Sequence, residues 1–224
     1  RHVPARHING FKDRGGLASM QGEYLTRFRN MVRRNMDRNY DLVCFADDPE
    51  KVPEGMEYLP LCAPTGARSL AKAYIYGAPF TGWPIESGRP VLLFDLDSVI
   101  VDSLAPLLDH PYEFVARERG YCLPQLVPDG DLIYSITGSY SARKVADLYQ
   151  EEIESGFINS QGGDERYICE RAGAACWGEV APGRVVSWKR QAKYGPKPGT
   201  SVISFHGKPL PDQVQSPWIK ENWK

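Results

Sequence analysis

Two aspartates, Asp95 and Asp97, interrupt the apolar run 91–101, Val-Leu-Leu-Phe-Asp-Leu-Asp-Ser-Val-Ile-Val. The four apolar residues before them, bounded upstream by Ser87-Gly88-Arg89-Pro90, predict a central strand covered on both faces, with the acids at its end. In an extended chain, side chains two apart share a face, so Asp95 and Asp97 converge while Leu96 turns away. Two such charges repel by roughly 3 to 4 kcal/mol at an effective dielectric of about 20, and a cation relieves that cost. Carboxylate oxygens suit hard ions, and Mg²⁺ or Mn²⁺ leaves open positions for the phosphate oxygens of a substrate. The plainer alternative is a turn whose aspartates merely cap a strand end, which the apolar flanks on both sides oppose.

Other residues able to do chemistry stand at similar junctions. The apolar stretch 201–205 runs straight into His206 and Lys208, a borderline nitrogen donor for Mn²⁺ and a point charge for phosphate. Asp47 and Asp48 follow the apolar segment 41–46, at a position where open α/β sheets bind ligands, although turn chemistry accounts for them equally well. Arg68 and Lys72 lie one helical turn apart, able to reach a phosphate or to line a surface face. Asp164 and Glu165 open a helix after a glycine-rich loop, where the helix dipole alone would favour an acid.

These residues require a frame of alternating strands and helices. Over 23–36, Tyr24, Leu25, Phe28, Met31, Val32 and Met36 recur at helical spacing, and Arg27, Arg29, Arg33 and Arg34 take a solvated face. Strands are predicted over 41–46, 91–94, 112–116, 131–137, 184–189 and 201–205. A loop covers 59–67 and a short helix 68–77; a turn or helix occupies 103–108 and a loop or edge hairpin 117–130. A helix runs over 141–154, and 191–200 is a loop. Residues 1–22 offer only a weak strand around 5–11. Trp188 is expected in the core, and the tail tryptophans Trp218 and Trp223 serve either core or substrate.

The segment 94–103, Phe-Asp-Leu-Asp-Ser-Val-Ile-Val-Asp-Ser, resembles both the nucleophile motif of haloacid-dehalogenase-type phosphatases and the Asp-x-Asp metal motif of GT-A glycosyltransferases. The phosphatase pattern expects its nucleophile near the start of the domain and a second acidic pair later. Here helix and strand precede Asp95, and Gly163-Asp164 is followed by Ile168 where another acid belongs. The order of helix 23–36, strand 41–46 with Asp47-Asp48, helix 68–77, Asp95-Leu96-Asp97, Gly163-Asp164-Glu165, Val185-Val-Ser-Trp-Lys189 and Phe205-His206-Gly207-Lys208-Pro209 resembles small bacterial and viral GT-A glycosyltransferases along nearly the whole chain.

That resemblance implies a single α/β, Rossmann-like GT-A domain with a mixed, mostly parallel central sheet flanked by helices. It implies a nucleotide-binding half at about 1–101 and an acceptor and metal-completing half at about 102–224. It further implies a nucleoside diphosphate sugar donor, UDP-sugar first, a glycan or saccharide acceptor, and Mn²⁺ or Mg²⁺ on Asp95, Asp97 and His206. Lys208, Arg68 and Lys72 then face the diphosphate, and Asn9, Gly10, Asp47, Asp48 and Asp95 the nucleotide. Asp164 or Glu165 serves as base in an inverting reaction, or positions the acceptor in a retaining one. A non-catalytic carbohydrate-binding relic of the fold is the third reading.

The 224 residues are 42% hydrophobic, enough for one sizeable core. With 27 basic and 28 acidic residues the net charge is -1, which leaves no electrostatic footprint for nucleic acid. The five cysteines, Cys44, Cys62, Cys122, Cys169 and Cys176, contain no Cys-x-x-Cys pair and fit a reducing compartment. No run approaches a membrane span, and residues 1–10 lack the apolar centre of a signal peptide. The expectation is a cytoplasmic protein active in polysaccharide biosynthesis, with peripheral membrane association left open.

Overall fold

The computed structural model describes residues 2–5, 17–46, 48–60, 88–118, 128–136, 139–155, 173–205 and 208–224. Its main element is a seven-stranded sheet built from β1 (His2–Ala5), β2 (Asp41–Ala46), β3 (Glu57–Pro60), β4 (Pro90–Phe94), β6 (Phe114–Glu118), β7 (Pro128–Ile136) and β8 (Ala175–Cys176), in the order β3-β2-β1-β4-β7-β6-β8. β1 runs parallel to both β2 and β4, β2 to β3, and β6 to β8. β7 is inserted antiparallel between β4 and β6, so the sheet is mixed and mostly parallel, as the resemblance implies.

The apolar patterns explain the central strands. Val91, Leu92, Leu93 and Phe94 are all buried, as are Val43, Cys44, Phe45 and Ala46, which is the continuous burial expected of strands covered on both faces. The first helix, α1 (Leu17–Asn35), begins before the predicted 23–36 and buries Leu25, Phe28, Met31 and Val32 completely. Each such side chain contributes roughly 1.5 to 3 kcal/mol relative to exposure. The ring of Phe28 meets that of Phe94 edge-on at 5.2 Å, which fixes α1 against β4.

A second sheet escapes the sequence reading. Val99–Ile100 forms β5, which pairs with β10 (Val202–Ser204), and β10 lies parallel to β9 (Val185–Ser187), giving the order β5-β10-β9. The run 91–101 is therefore two strands in two sheets. One hydrophobic cluster joins them, holding Leu92 and Phe94 together with Ile100, Val186 and Ile203. The predicted strand 184–189 is shorter, because Trp188–Ala192 turns into a π-helical segment that buries Trp188 and Ala192.

Several boundaries differ for similar tertiary reasons. β3 occupies residues expected to begin a loop, since pairing with β2 supplies a ladder that local composition does not announce. β7 starts at Pro128, three residues before the predicted strand, and its pairing with β6 closes the expected hairpin. Helix α2 (Tyr140–Ser155) matches the predicted 141–154, and Ala142 and Val145 are buried on it. The short α3 (Trp177–Val180) buries Trp177, whose Nε1 donates to the Leu132 carbonyl at 3.1 Å. β1 covers His2–Ala5, ahead of the weak strand expected around 5–11, and residues 6–11 lie outside the described residues. The predicted helix 68–77 lies outside the described residues.

Candidate functional site

The acidic pair occupies a turn rather than an extended strand end. β4 stops at Phe94, and the Ser98 N–H donates to the Asp95 carbonyl at 3.0 Å, closing Asp95-Leu96-Asp97-Ser98 into a β-turn. Asp is a favoured first residue of such turns. The same-face argument for Asp95 and Asp97 is corrected accordingly: they occupy the first and third positions of a turn, not alternate positions of a strand. Leu96 turns into the core, and Asp95 retains only 8% exposure, while Asp97 is more open. Oδ1 of each aspartate is shielded from solvent.

Topology explains why this turn matters. From β1 the chain proceeds outward to β2 and β3, then returns to the other side of β1 as β4. Ligands of open α/β sheets bind outside the carboxyl ends of strands at such a reversal. Asp95 and Asp97 follow the carboxyl end of β4 directly and precede β5, so the turn sits at the seam between the two sheets.

The other side of the seam comes from β10. Ile203 pairs with Val99 and Val202 with Ile100; one further step of this antiparallel register sets Ser204 across from Ser98. Both hydroxyls are buried and have no hydrogen-bond partner among the described residues. Phe205 follows, stacked on Trp188 with ring centroids 5.2 Å apart and planes 20° apart. The chain then continues through residues 206 and 207 to the exposed Lys208, whose bond to Pro209 is cis.

Among the predicted site residues, Asp95, Asp97, Asp48 and Lys208 are described. Asn9, Gly10, Asp47, Arg68, Lys72, Asp164, Glu165 and His206 lie outside the described residues. The structure engages Asp48 locally: its carboxylate accepts from the Glu50 N–H at 3.0 Å, capping the 3-10 turn Pro49–Lys51, and pairs with Lys51 at 3.1 Å. Lys51 first, and then that N–H, hold the Asp48 carboxyl below its ordinary value. Asp95 and Asp97 offer two hard oxygen donors suited to Mg²⁺ or Mn²⁺. No group of three or more His, Cys, Asp or Glu able to hold a metal occurs among the described residues.

The arginines of α1 show what the sequence reading missed. The 23–36 pattern predicts a solvated face, yet Arg27 donates to the Trp223 carbonyl at 3.2 Å, Arg29 to the Glu54 carbonyl at 2.7 Å, and Arg34 to the Lys224 carbonyl at 2.7 Å. Three of the four thus satisfy backbone groups of distant segments. Tyr24, counted only as an apolar member of the helix, donates its hydroxyl to Asp212 at 2.6 Å. No local signal reveals these pairs, because their partners stand far along the chain, at Glu54 and in the tail. In the tail, helix α4 (Pro217–Asn222) leads into Trp223, which is buried as a core residue, while Trp218 is partly buried. Cys44 and Cys176 are buried, and burial pushes the Cys44 thiol up to about 12, which disfavours its thiolate at neutral pH.

No family model matches the chain, and no curated protein matches it in sequence. Solved structures do match. An active-site variant of LgtC aligns with a TM-score of 0.62 at 12% identity, covering 98% of this chain and 92% of that one. The fold is the GT-A glycosyltransferase fold. The galactosyltransferase LgtC in complex with donor and acceptor sugar analogues aligns similarly, with a TM-score of 0.60 at 12% identity over 96% of this chain and 90% of that one. At this identity the likeness is one of fold, and it extends over nearly the full length of both chains. No helix among the described residues is long and apolar enough to cross a membrane.

Proposed function

We propose that this chain is a metal-dependent glycosyltransferase that moves a sugar from a nucleoside diphosphate sugar, a UDP-sugar in the first instance, to a hydroxyl of a glycan or saccharide acceptor. One observation carries this reading. The acidic turn Asp95-Leu96-Asp97-Ser98 closes the carboxyl end of β4, beside the topological reversal of a GT-A sheet. A degenerate binding module has no need for a carboxylate pair held there at the cost of charge repulsion.

The chemistry follows from the leaving group. As the glycosidic bond breaks, the diphosphate gathers negative charge, and catalysis depends on groups already arranged where that charge develops. Asp95, Asp97 and His206 would hold Mn²⁺ or Mg²⁺, whose contribution is to neutralise the diphosphate. Lys208, exposed downstream of β10, adds a positive charge for phosphate oxygens, with Arg68 and Lys72 assisting. Asn9, Gly10 and Asp47 contact the nucleoside, in a nucleotide-binding half that extends to about residue 101. Asp48 joins them only by giving up its cap on the Glu50 N–H. Asp164 or Glu165 takes the proton of the acceptor hydroxyl in an inverting reaction, or orients the acceptor in a retaining one. Work of this kind suits a cytoplasmic enzyme of polysaccharide assembly.

A thermal-shift panel tests the reading: UDP, GDP, CMP and no nucleotide, each with Mn²⁺ or with EDTA, on the wild type and on Asp97→Asn. The expected result is a Mn²⁺-dependent rise with UDP that the variant loses, since a ligand that binds only the folded state stabilises it. Absence of any rise, together with hydrolysis of a generic phosphomonoester that Asp95→Asn abolishes, would replace this reading with a phosphatase.

A further inference from the structure

Charge is unevenly distributed along this chain. Between Glu179 and Asp212 stand Arg184, Lys189, Arg190, Lys193, Lys197 and Lys208, and not one acidic residue, although the whole chain has a net charge of -1. The remainder is therefore acidic overall. A block of one sign suits a partner of the other. Lys189, Arg190, Lys193 and Lys197 fall in the connection between β9 and β10, and all are exposed there.

Hydrogen bonds hold that connection in shape. Its π-helical start buries Trp188 and Ala192, which leaves Lys189, Arg190 and Lys193 on the outside. The Ser187 N–H donates to Gln191 Oε1 at 2.9 Å, the Gly195 N–H to the Ala192 carbonyl at 3.0 Å, and the Thr200 N–H to the Lys197 carbonyl at 3.1 Å. Gly195 and Gly199 adopt φ of 125° and 85°, in the left-handed region that glycine enters readily. Tyr194 stands in the first of these turns, 95% exposed, with Lys193 Nζ 5.8 Å from its ring centre. The connection thus presents a flat aromatic face ringed by cations.

Topology relates this surface to the acidic turn. β9 and β10 run parallel, with Ser187 paired to Ser204, and β10 runs antiparallel to β5, so the carboxyl end of β9 and the start of β5 lie at the same end of the second sheet. Asp95-Leu96-Asp97-Ser98 leads into β5 at that end, and Trp188, the first residue after β9, stacks there on Phe205. The basic connection therefore departs from the end of the sheet that carries the acidic pair.

We propose that the connection 188–199 is an acceptor-binding surface for an acidic glycan, one bearing carboxylate or phosphate groups along its chain, with Tyr194 stacked on a sugar face and the exposed cations meeting the anions. This inference rests on the glycosyltransferase reading above and names the class of its acceptor. The tyrosine ring joins an apolar face to a polar tip, as a sugar surface requires, and lysines meet dispersed anionic groups as point charges. Because the surface is already held by its turns, little conformational entropy is lost on binding. A lipid surface fits less well: Trp188 and Ala192 are buried, Tyr194 is the large apolar group left to insert, and stable anchoring takes two signals. An extended nucleic acid would meet the acidic remainder of the chain.

The test uses the full chain and measures Kd by calorimetry for polygalacturonate, phosphorylated dextran and neutral dextran of matched length, with UDP plus Mn²⁺ measured alongside. The wild type is expected to bind one or both charged polymers and not neutral dextran, with an affinity that falls as salt rises. Lys193→Gln combined with Lys197→Gln is expected to weaken that binding about tenfold and to flatten its salt dependence. Tyr194→Ala is expected to weaken it about fivefold with the salt dependence unchanged. These positions are exposed, so an unchanged Tm certifies that each variant is folded. Wild-type affinity for the charged polymers in both variants, or tighter binding of RNA or of anionic phospholipid vesicles, would overturn this inference, while an intact UDP response would leave the transferase reading standing. Charged-glycan binding without any Mn²⁺-dependent UDP response would overturn the transferase reading and, with it, the acceptor role of this surface.

Discussion

The Arg27 guanidinium lies 4.3 Å from the centre of the Trp223 ring and donates to the carbonyl of the same residue at 3.2 Å. A residue of the first helix thereby secures both the side chain and the backbone at the end of the chain. Trp223 is 3% exposed, so the carbonyl it presents could not readily turn to water instead.

Replacing Arg27 by Ala removes the cation–π contact and the charged hydrogen bond together. The expected loss is about 2 kcal/mol, seen as a lower urea midpoint at an unchanged slope. Arg27→Lys, which keeps the charge without the planar fork, should lie between the two. An Arg27→Ala midpoint equal to that of the wild type would mean that the tail is held by apolar packing alone.

Asp97 and Asp48 provide a contrast between two acids that both follow strands. Asp97→Asn is expected to abolish Mn²⁺-dependent stabilisation by UDP. Asp48→Asn should leave it intact, because the Asp48 carboxylate is occupied by the Glu50 N–H and Lys51. Equal loss of nucleotide response in both variants would place Asp48 in the donor site after all. The same panel needs only nucleotide and metal, and so does not depend on knowing the acceptor.

His110 predicts a pH dependence. Its ring packs edge-on against Tyr134 at 4.3 Å and against Trp177 at 5.6 Å. Burial lowers its pKa from 6.5, with the Leu107 backbone and the Asp109 charge opposing. The folded pKa is the depressed one, so the unfolded chain takes up the proton first as pH falls. Stability is therefore full above about pH 6.5 and declines as pH drops from there toward the folded value. In denaturant titrations between pH 7.5 and pH 5, at about those limits, His110→Phe should flatten this part of the profile. A wild-type decline of the same size in the variant would assign the slope to other groups.

Ser204 makes a prediction of the opposite sign. Its hydroxyl is fully buried and lacks a hydrogen-bond partner among the described residues. Deleting a buried hydroxyl of this kind relieves a desolvation cost of roughly 1 to 3 kcal/mol, set against the loss of a single small atom from the packing. Ser204→Ala is thus expected to leave Tm unchanged or raise it. A clear drop in the melting temperature of the ligand-free protein would show that the hydroxyl is satisfied in solution.

Segments whose burial follows from local composition were legible in the sequence. The strands Asp41–Ala46 and Pro90–Phe94 stand where continuous apolar runs predict them, and the spacing of Leu25, Phe28, Met31 and Val32 correctly names the buried face of α1. The acids at the end of β4 were legible too, because two carboxylates after four apolar residues are conspicuous in composition alone. What neighbouring residues cannot encode is the partner of a strand or of a donor. Val99 and Ile100 belong to no predicted strand, and only pairing with Val202 and Ile203 makes them a strand of another sheet, with Asp95-Leu96-Asp97-Ser98 as the turn between. Tyr24 reads as one more apolar helix residue until the tail folds back and sets Asp212 within 2.6 Å of its hydroxyl. Hydrophobic periodicity specifies which face of an element is buried, since that follows from the element's own geometry. Register, sheet membership and long-range hydrogen bonds are selected only when the whole chain collapses and each buried polar group must find a partner.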